Sequence, residues 1–342
     1  KLPISKILSD FSGLKSQPVN FKFELGTFQN RVSFYKKMIL KHLPKGSILI
    51  PSDDEAVWKA CAELSGDYVF VGVLHSDDEY YYHLANKYES AVSGFVSVSK
   101  RIKSKTLASK PHTVIPCGIK IPRINSFPEK KNQLVFVGRI EEKQKRVSDL
   151  PKIFKKLTSC FPDWKLTIVG NGVDLDRLKQ DFAGIQNGDS VEFLDWLPKN
   201  LVFDLLLESR ILIQTSNFEG MSVAVMEALA AGCQILSSKV SGVEDLINGD
   251  KAKSIVNLFP IGDIDGAVIG FKLLISNSSI TGPQLANQLA SDYFSIESCW
   301  QSYSLFAAKL SPTINQFFSK KKAIWISDLI AIGRLLKYKI TH

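Results

Sequence analysis

No uncharged apolar run in the sequence approaches the ~18–20 residues that a membrane-spanning helix needs. No signal peptide is visible in the sequence, which opens on Lys1 rather than Met, as a stretch taken from inside a longer chain would. Cysteine is scarce. The five present, Cys61, Cys117, Cys160, Cys233 and Cys299, form no C-x-x-C pair, which argues against a compact zinc or redox motif. Scattered buried thiols in a reducing cytoplasm are the expectation. Glycine and proline number 21 and 14 in 342 residues, too few for a collagen-like or low-complexity chain. What is in excess is positive charge. The net charge of +9 suits an anionic partner such as a nucleotide phosphate, a nucleic acid or an acidic membrane surface. No basic–aromatic stripe or nucleic-acid-binding module accompanies it, so no nucleic-acid partner is expected.

The length leaves room for two domains of about 100–200 residues. From about Phe21, short apolar runs alternate with amphipathic stretches. The runs are Ser47–Pro51, Tyr68–Leu74, Phe95–Val98 and Thr113–Pro116, and helical spacing fills 54–65, 78–89 and 100–107. Such alternation reads as βαβ units around a buried parallel sheet. The segment 118–132 breaks the rhythm with Pro122, Pro128 and a cluster of charges, the composition of a linker. The alternation then resumes. Strands are expected at 134–137, 166–169, 191–194, 211–214 and 234–237, and helices at 147–159, 174–182, 199–207 and 222–231. The fold class expected is therefore α/β: two Rossmann-like doubly wound domains facing a cleft, with ligands beyond the carboxyl ends of the strands. The domains run 1–117 and 133–295, with 118–132 between them. Helices over 296–342 return to the first domain. Within these, Ser319–His342 carry Lys320, Lys321, Lys322, Arg334, Lys337 and Lys339 against Asp328. Two readings stand for this tail: a helix packed on the first domain, or a face for an anionic membrane.

The segment Ser216–Gly232, SNFEGMSVAVMEALAAG, is the most informative. A strand ends near Thr215, and a loop with Glu219 and Gly220 leads to Ser222, a good N-cap, and a helix of small residues. Backbone N–H groups at that helix start would hold a phosphate. Glu219 and Glu227 carry carboxylates that accept hydrogen bonds from paired sugar hydroxyls. Two D-x-D strings, Asp174–Asp176 and Asp263–Asp265, precede helices and read as caps, so no metal site is expected. Asp77 and Asp78 likewise read as helix-start residues.

This segment resembles the Glu-x7-Glu motif of the family-4 retaining glycosyltransferases, which have the GT-B fold; Glu219 and Glu227 fall at its two glutamates. Gly220, Met221 and Ser222 stand where that family usually has Gly-Phe-Gly or Gly-Phe-Ser. Val137-Gly138-Arg139-Ile140 followed by Lys145-Arg146 resembles the family's Gly-Arg…Lys segment. Ile168-Val169-Gly170-Asn171-Gly172 resembles its I-V-G-x-G, and Phe193–Pro198 its F-x-G-x-x-P, with Asp195 where glycine is common. The likeness runs over about Leu134–Leu274. In the first domain it is thinner: Leu74–Asp78 resembles the stretch with the family's active-site His, which here would be His75. Cys117 replaces the Asn of its I-P-N-G-I.

The resemblance implies a retaining, metal-independent transfer of a hexose from a nucleotide-diphosphate sugar, with no separate cofactor. Arg139 and Lys145 would grip the diphosphate, with Lys143 or Arg146 as alternatives. His75 and Glu219 would orient the donor sugar, and Glu227 would hold the ribose. Gly138, Gly170, Trp196, Gly220, Met221, Ser222 and Val223 would line the nucleotide. Trp196 reads equally as core packing, and His75 as a core or capping residue. A glycan or lipid-linked acceptor is expected, in cell-surface polysaccharide or glycolipid synthesis, in the cytoplasm or at the inner face of the membrane. The family's N-terminal strand and glycine-rich loop are not found, so the first domain is expected to be incomplete. The alternative that this raises is a nucleotide-sugar binder without turnover.

Overall fold

The computed structural model describes residues 26–51, 53–185, 188–247, 250–277 and 281–310. The charged tail of Ser319–His342 lies outside them. The chain divides into two compact units. Of the described residues, one takes those up to Val98, then Ile102–Ile115 and those from Trp300 to Leu310; the other takes Ser99–Arg101 and those within Pro116–Cys299.

In the first unit four parallel strands lie in the order β1-β2-β3-β4: Ile48–Leu49, Val69–Leu74, Gly94–Ser97 and His112–Val114. Helices α1 (Phe28–His42), α2 (Glu55–Glu63), α3 (Glu79–Tyr88) and α4 (Lys100–Lys105) belong to this part of the chain. α1 was not expected. Its buried Val32, Tyr35 and Ile39 recur at helical spacing, and the Thr27 hydroxyl caps its first turn. Asp54 and Asp78 cap α2 and α3 by accepting from the N–H groups of Ala56 and Tyr80, each at 2.9 Å.

The second unit holds β5 (Lys131–Val137), α5 (Glu142–Lys145), α6 (Asp149–Thr158), β6 (Lys165–Val169), α7 (Leu175–Ala183), β7 (Val191–Leu194), α8 (Lys199–Glu208), β8 (Ser209–Gln214), α9 (Val223–Ala230), β9 (Gln234–Ser238), α10 (Asp250–Ile255), β10 (Val256–Phe259), α11 (Ile264–Ser276) and α12 (Gly282–Phe294). All six strands are parallel in the order β7-β6-β5-β8-β9-β10. The chain builds outward from β5 to β7, then returns to the other side of β5 as β8. The order therefore reverses between β5 and β8, the place where ligands bind in such sheets. β10 was not expected; it is a short edge strand with only its end residues buried.

Strand alternation explains the core. Leu134 and Phe136 of β5 face Ile153, Phe154, Ile168 and Phe271, while Val135 joins Leu212, Met226, Leu229 and Ile235 on the other side. With both faces covered, these strands read as continuous apolar runs. α9 is almost wholly small or apolar because Ala228, Ala230 and Ala231 share a core with Ala286 and Ala290 of α12.

The segment 118–132, expected as a linker, packs on the second unit. Ile119 bridges Ser295, and the Lys130 ammonium donates to the last carbonyls of two helices, Leu206 O at 3.1 Å and Ala231 O at 2.7 Å. The last helix among the described residues, α13 (Ile296–Leu310), leads into the first unit, where Phe306 lies against Gly94. The cysteines differ from expectation: only Cys61 and Cys233 are buried, Cys117 and Cys299 are half-buried, and Cys160 is exposed. No helix among the described residues is long and apolar enough to cross a membrane.

Candidate functional site

The loops that leave β5 and β8 flank the reversal of strand order, and they are fastened to each other. Asn217 donates through its backbone N–H to Gln144 O at 2.7 Å, and through its side chain to Lys143 O at 3.0 Å. The Thr215 hydroxyl donates to Lys145 O at 2.8 Å. Lys145 and Glu219 meet inside this clasp, Nζ to Oε1 at 2.6 Å, with 12% and 7% of their side chains exposed. Glu219 also accepts from the Ser216 hydroxyl at 2.7 Å. Burying a charge needs such pairing. Arg146 ends α5 with a φ of 45°, and among the described residues it alone has a positive φ without being glycine.

The glycines serve close approach. Gly138 donates to Val169 O at 3.0 Å, which brings the loop after β5 against the loop after β6. A Cβ on Gly170, whose φ is +137°, would lie 1.9 Å from Gly138 O. At Gly138 itself an added Cβ would touch the Lys145 side chain at 3.4 Å. On the far side Gly242, with φ +82°, comes so near that a Cβ would stand 2.5 Å from Gly220 O.

Ser222 occupies the position before α9 and is buried, but its hydroxyl does not cap the helix. The first-turn N–H groups therefore lack a side-chain acceptor there, and the helix start stays electropositive. Val223, the first residue of α9, is 48% exposed, and Met221 is half-buried. Glu227 sits one turn further on. It is half-buried, and among the described residues its carboxylate has no hydrogen-bond or ion-pair partner. Burial pushes its pKa up, and Lys199, the first residue of α8, partly offsets this.

The predicted residues thus fall into groups. Gly138, Lys145, Gly170, Glu219, Gly220, Met221, Ser222 and Glu227 gather at the carboxyl end of the second sheet. Arg139 is on the same loop but exposed, held by Glu141 at 3.2 Å and by Gln144. Trp196 is not core: it is 49% exposed beyond β7. His75 belongs to the first unit, after β2, with its ring 6.2 Å from that of Tyr81 in an edge-on contact. Asp78 caps a helix as expected, whereas Asp77 accepts from Tyr82 and Lys105. Asp263 caps α11 through Gly266 N at 2.8 Å. Asp174 does not cap its own helix; its carboxylate accepts from Glu142 N at 2.8 Å and so secures the start of α5. Among the described residues, no three His, Cys, Asp or Glu side chains gather as a metal would require. Ser216, Gln144, Asn217 and Lys199 were not foreseen, because their parts depend on contacts between distant segments.

Several known proteins are similar to this chain. A lipopolysaccharide 1,6-galactosyltransferase of Escherichia coli is 34% identical over 140 residues, 39% of this chain and 37% of that protein. A phosphatidyl-myo-inositol mannosyltransferase of Mycolicibacterium smegmatis is 27% identical over 200 residues, 54% of this chain and 49% of that protein. The chain spans less than half the length of the first curated relatives it matches. Among solved structures, the HepE protein of Anabaena in complex with UDP superposes with a TM-score of 0.66 at 15% identity, covering 81% of this chain and 82% of that one. At that identity the likeness is one of fold, the two-unit α/β architecture called GT-B. Residues 119–288, which contain every candidate except His75, match the model of the family described as glycosyl transferases group 1.

Proposed function

We propose that the protein is a retaining, metal-independent glycosyltransferase that moves a hexose from a nucleotide-diphosphate sugar to a glycan or lipid-linked acceptor. The observation that carries this reading is Glu227, a half-buried carboxylate without a hydrogen-bond partner among the described residues. It stands on the helix whose start opens at the reversal of strand order. An unsatisfied buried acceptor is costly, and a ribose diol satisfies it.

The diphosphate lies over the uncapped first turn of α9. The helix dipole, Lys145 and Arg139 balance the charge that grows on the leaving group. Glu219, fixed by Lys145 and Ser216, orients the donor sugar, and His75 is assigned to that sugar as well. Retention follows when the acceptor hydroxyl attacks from the face that the leaving group departs, a diphosphate oxygen taking its proton. The relatives' names, a lipopolysaccharide galactosyltransferase and a phosphatidyl-inositol mannosyltransferase, support an acceptor in cell-surface polysaccharide or glycolipid synthesis. We assign the reaction to the inner face of the membrane, with the basic tail against anionic lipid. Neutralising Lys320–Lys322 should then lower co-sedimentation with anionic liposomes, and unchanged binding would remove the tail from that role.

A thermal-shift panel of UDP, GDP and ADP tests the site. At a hundred times Kd, binding to the folded state adds about 2.7 kcal/mol of stability. A flat response to all three would overturn the reading. Transfer, or slow donor hydrolysis, separates an enzyme from a binder without turnover.

Glu227→Gln gives a signature of opposite signs. The raised pKa means that the folded chain holds this proton more tightly than the unfolded chain does, so the stability it confers is lost as pH rises through the folded pKa. At pH 7–8 the substitution removes that cost, and Tm should hold or rise. Nucleotide affinity should fall about tenfold or more, since an amide replaces a charged acceptor. In the native protein, affinity should weaken toward acid as Glu227 protonates.

A further inference from the structure

We propose that the donor nucleotide carries guanine, and that Asp195 reads it. This rests on the assignment of the diphosphate to α9 and of the ribose to Glu227. α8, whose first residue is Lys199, packs beside the helix that carries Glu227, its Val202 and Leu206 in one core with Val225, Met226 and Leu229. The loop that delivers Lys199 is Asp195–Pro198, at the carboxyl end of β7. A nucleotide laid from the start of α9 past Glu227 therefore presents its base to that loop.

What the loop offers is a fixed acceptor beside open apolar surface. Asp195 Oδ1 accepts from the Trp196 N–H at 2.7 Å and from the Asn171 side chain at 3.2 Å. Asn171 is itself held, its carbonyl oxygen accepting from Gly172 N at 2.7 Å. The carboxylate is thus locked by two loops, while Oδ2 has no partner among the described residues. On the same two loops Trp196 is 49% exposed and Val173 is 88% exposed. Trp196, next in the chain to Asp195, thereby leaves an aromatic face open beside the fixed carboxylate. An aromatic face stacks on any base, contributing about 1–3 kcal/mol without choosing among them.

The choice comes from the free oxygen. A carboxylate only accepts hydrogen bonds. Guanine places two donors side by side, N1–H and the N2 amine, and a carboxylate accepts from both. Uracil has a single N3–H between two carbonyl oxygens, which an anion repels. Adenine and cytosine pair one amine with a ring-nitrogen lone pair, which meets the same repulsion. A site built around a specific hydrogen bond rejects ligands that leave it unmade far more strongly than an apolar pocket does.

Calorimetric titration of the whole chain with GDP, UDP and ADP tests this. GDP should bind at least about tenfold more tightly than either alternative, the discrimination of one good two-point contact to a base. Asp195→Asn keeps the Oδ1 bonds that lock the loop but puts an N–H donor where Oδ2 stood. It should weaken GDP by about tenfold or more and leave UDP within about twofold. UDP or ADP binding most tightly to the native chain would overturn the proposal, as would a GDP preference that Asp195→Asn leaves intact. Failure of all three nucleotides to bind would instead overturn the function proposed above.

Discussion

Lys145→Met is expected to cut transfer by at least about a hundredfold, in line with the loss of one preorganised positive group from a charge-stabilising site. It should also destabilise the fold by about 3 kcal/mol. Methionine keeps the aliphatic stem but leaves Glu219, with 7% of its side chain exposed, supported by Ser216 alone. The two losses separate in a double variant. Adding Glu219→Gln removes the stranded charge, so most of the stability should return, measured as the urea midpoint, while transfer stays at the depressed level. Full recovery of rate in the double variant would mean that the pair holds the loops together and does nothing to the donor. A Lys145→Met protein with native stability and native rate would take this side chain out of the site.

Gly170→Ala is expected to be more damaging to the fold than any other single-methyl addition at the site. The new Cβ would stand 1.9 Å from Gly138 O, against backbone that cannot rotate out of the way, at a φ of +137° that side chains avoid. The two loops must part, and with them go the bond from Gly138 N to Val169 O and the seat of Lys145. A loss above about 4 kcal/mol follows, in the range reserved for a strained backbone or a broken core. Chemical denaturation reads it directly. A cost below about 1 kcal/mol would show that the loops yield easily and do not set the geometry of the site.

Much of this was legible in the sequence. The apolar strings from Leu134 to Ser237 are strands because both faces of a parallel sheet are covered, and such strands carry an unbroken apolar signal. α9 could be read from its small residues and the turn before it. What escaped was non-local or weak. α1 hides its apolar face among lysines, so its three buried residues do not stand out. β10 is an edge strand of four residues with a half-exposed middle. Asp174 precedes a helix and reads as its cap, yet it serves α5, which begins 32 residues upstream, a partner that no local pattern names. The same holds for Lys145 and Glu219. Each was a candidate alone, but their ion pair spans 74 positions and exists only because the sheet reverses its order between β5 and β8.

The clasp between the loops after β5 and β8 is one main-chain bond, from Asn217 N to Gln144 O, and side chains that reach across it: Asn217 to Lys143 O, Thr215 to Lys145 O, and the Lys145–Glu219 pair inside. A substitution there therefore acts on the fit of the two loops as well as on whatever they hold. The loops after β6 and β7 are different, since Val173, Asp195 and Trp196 present exposed side chains. On the function proposed above, change in which donor is accepted is therefore easier at the outer loops than at the clasp.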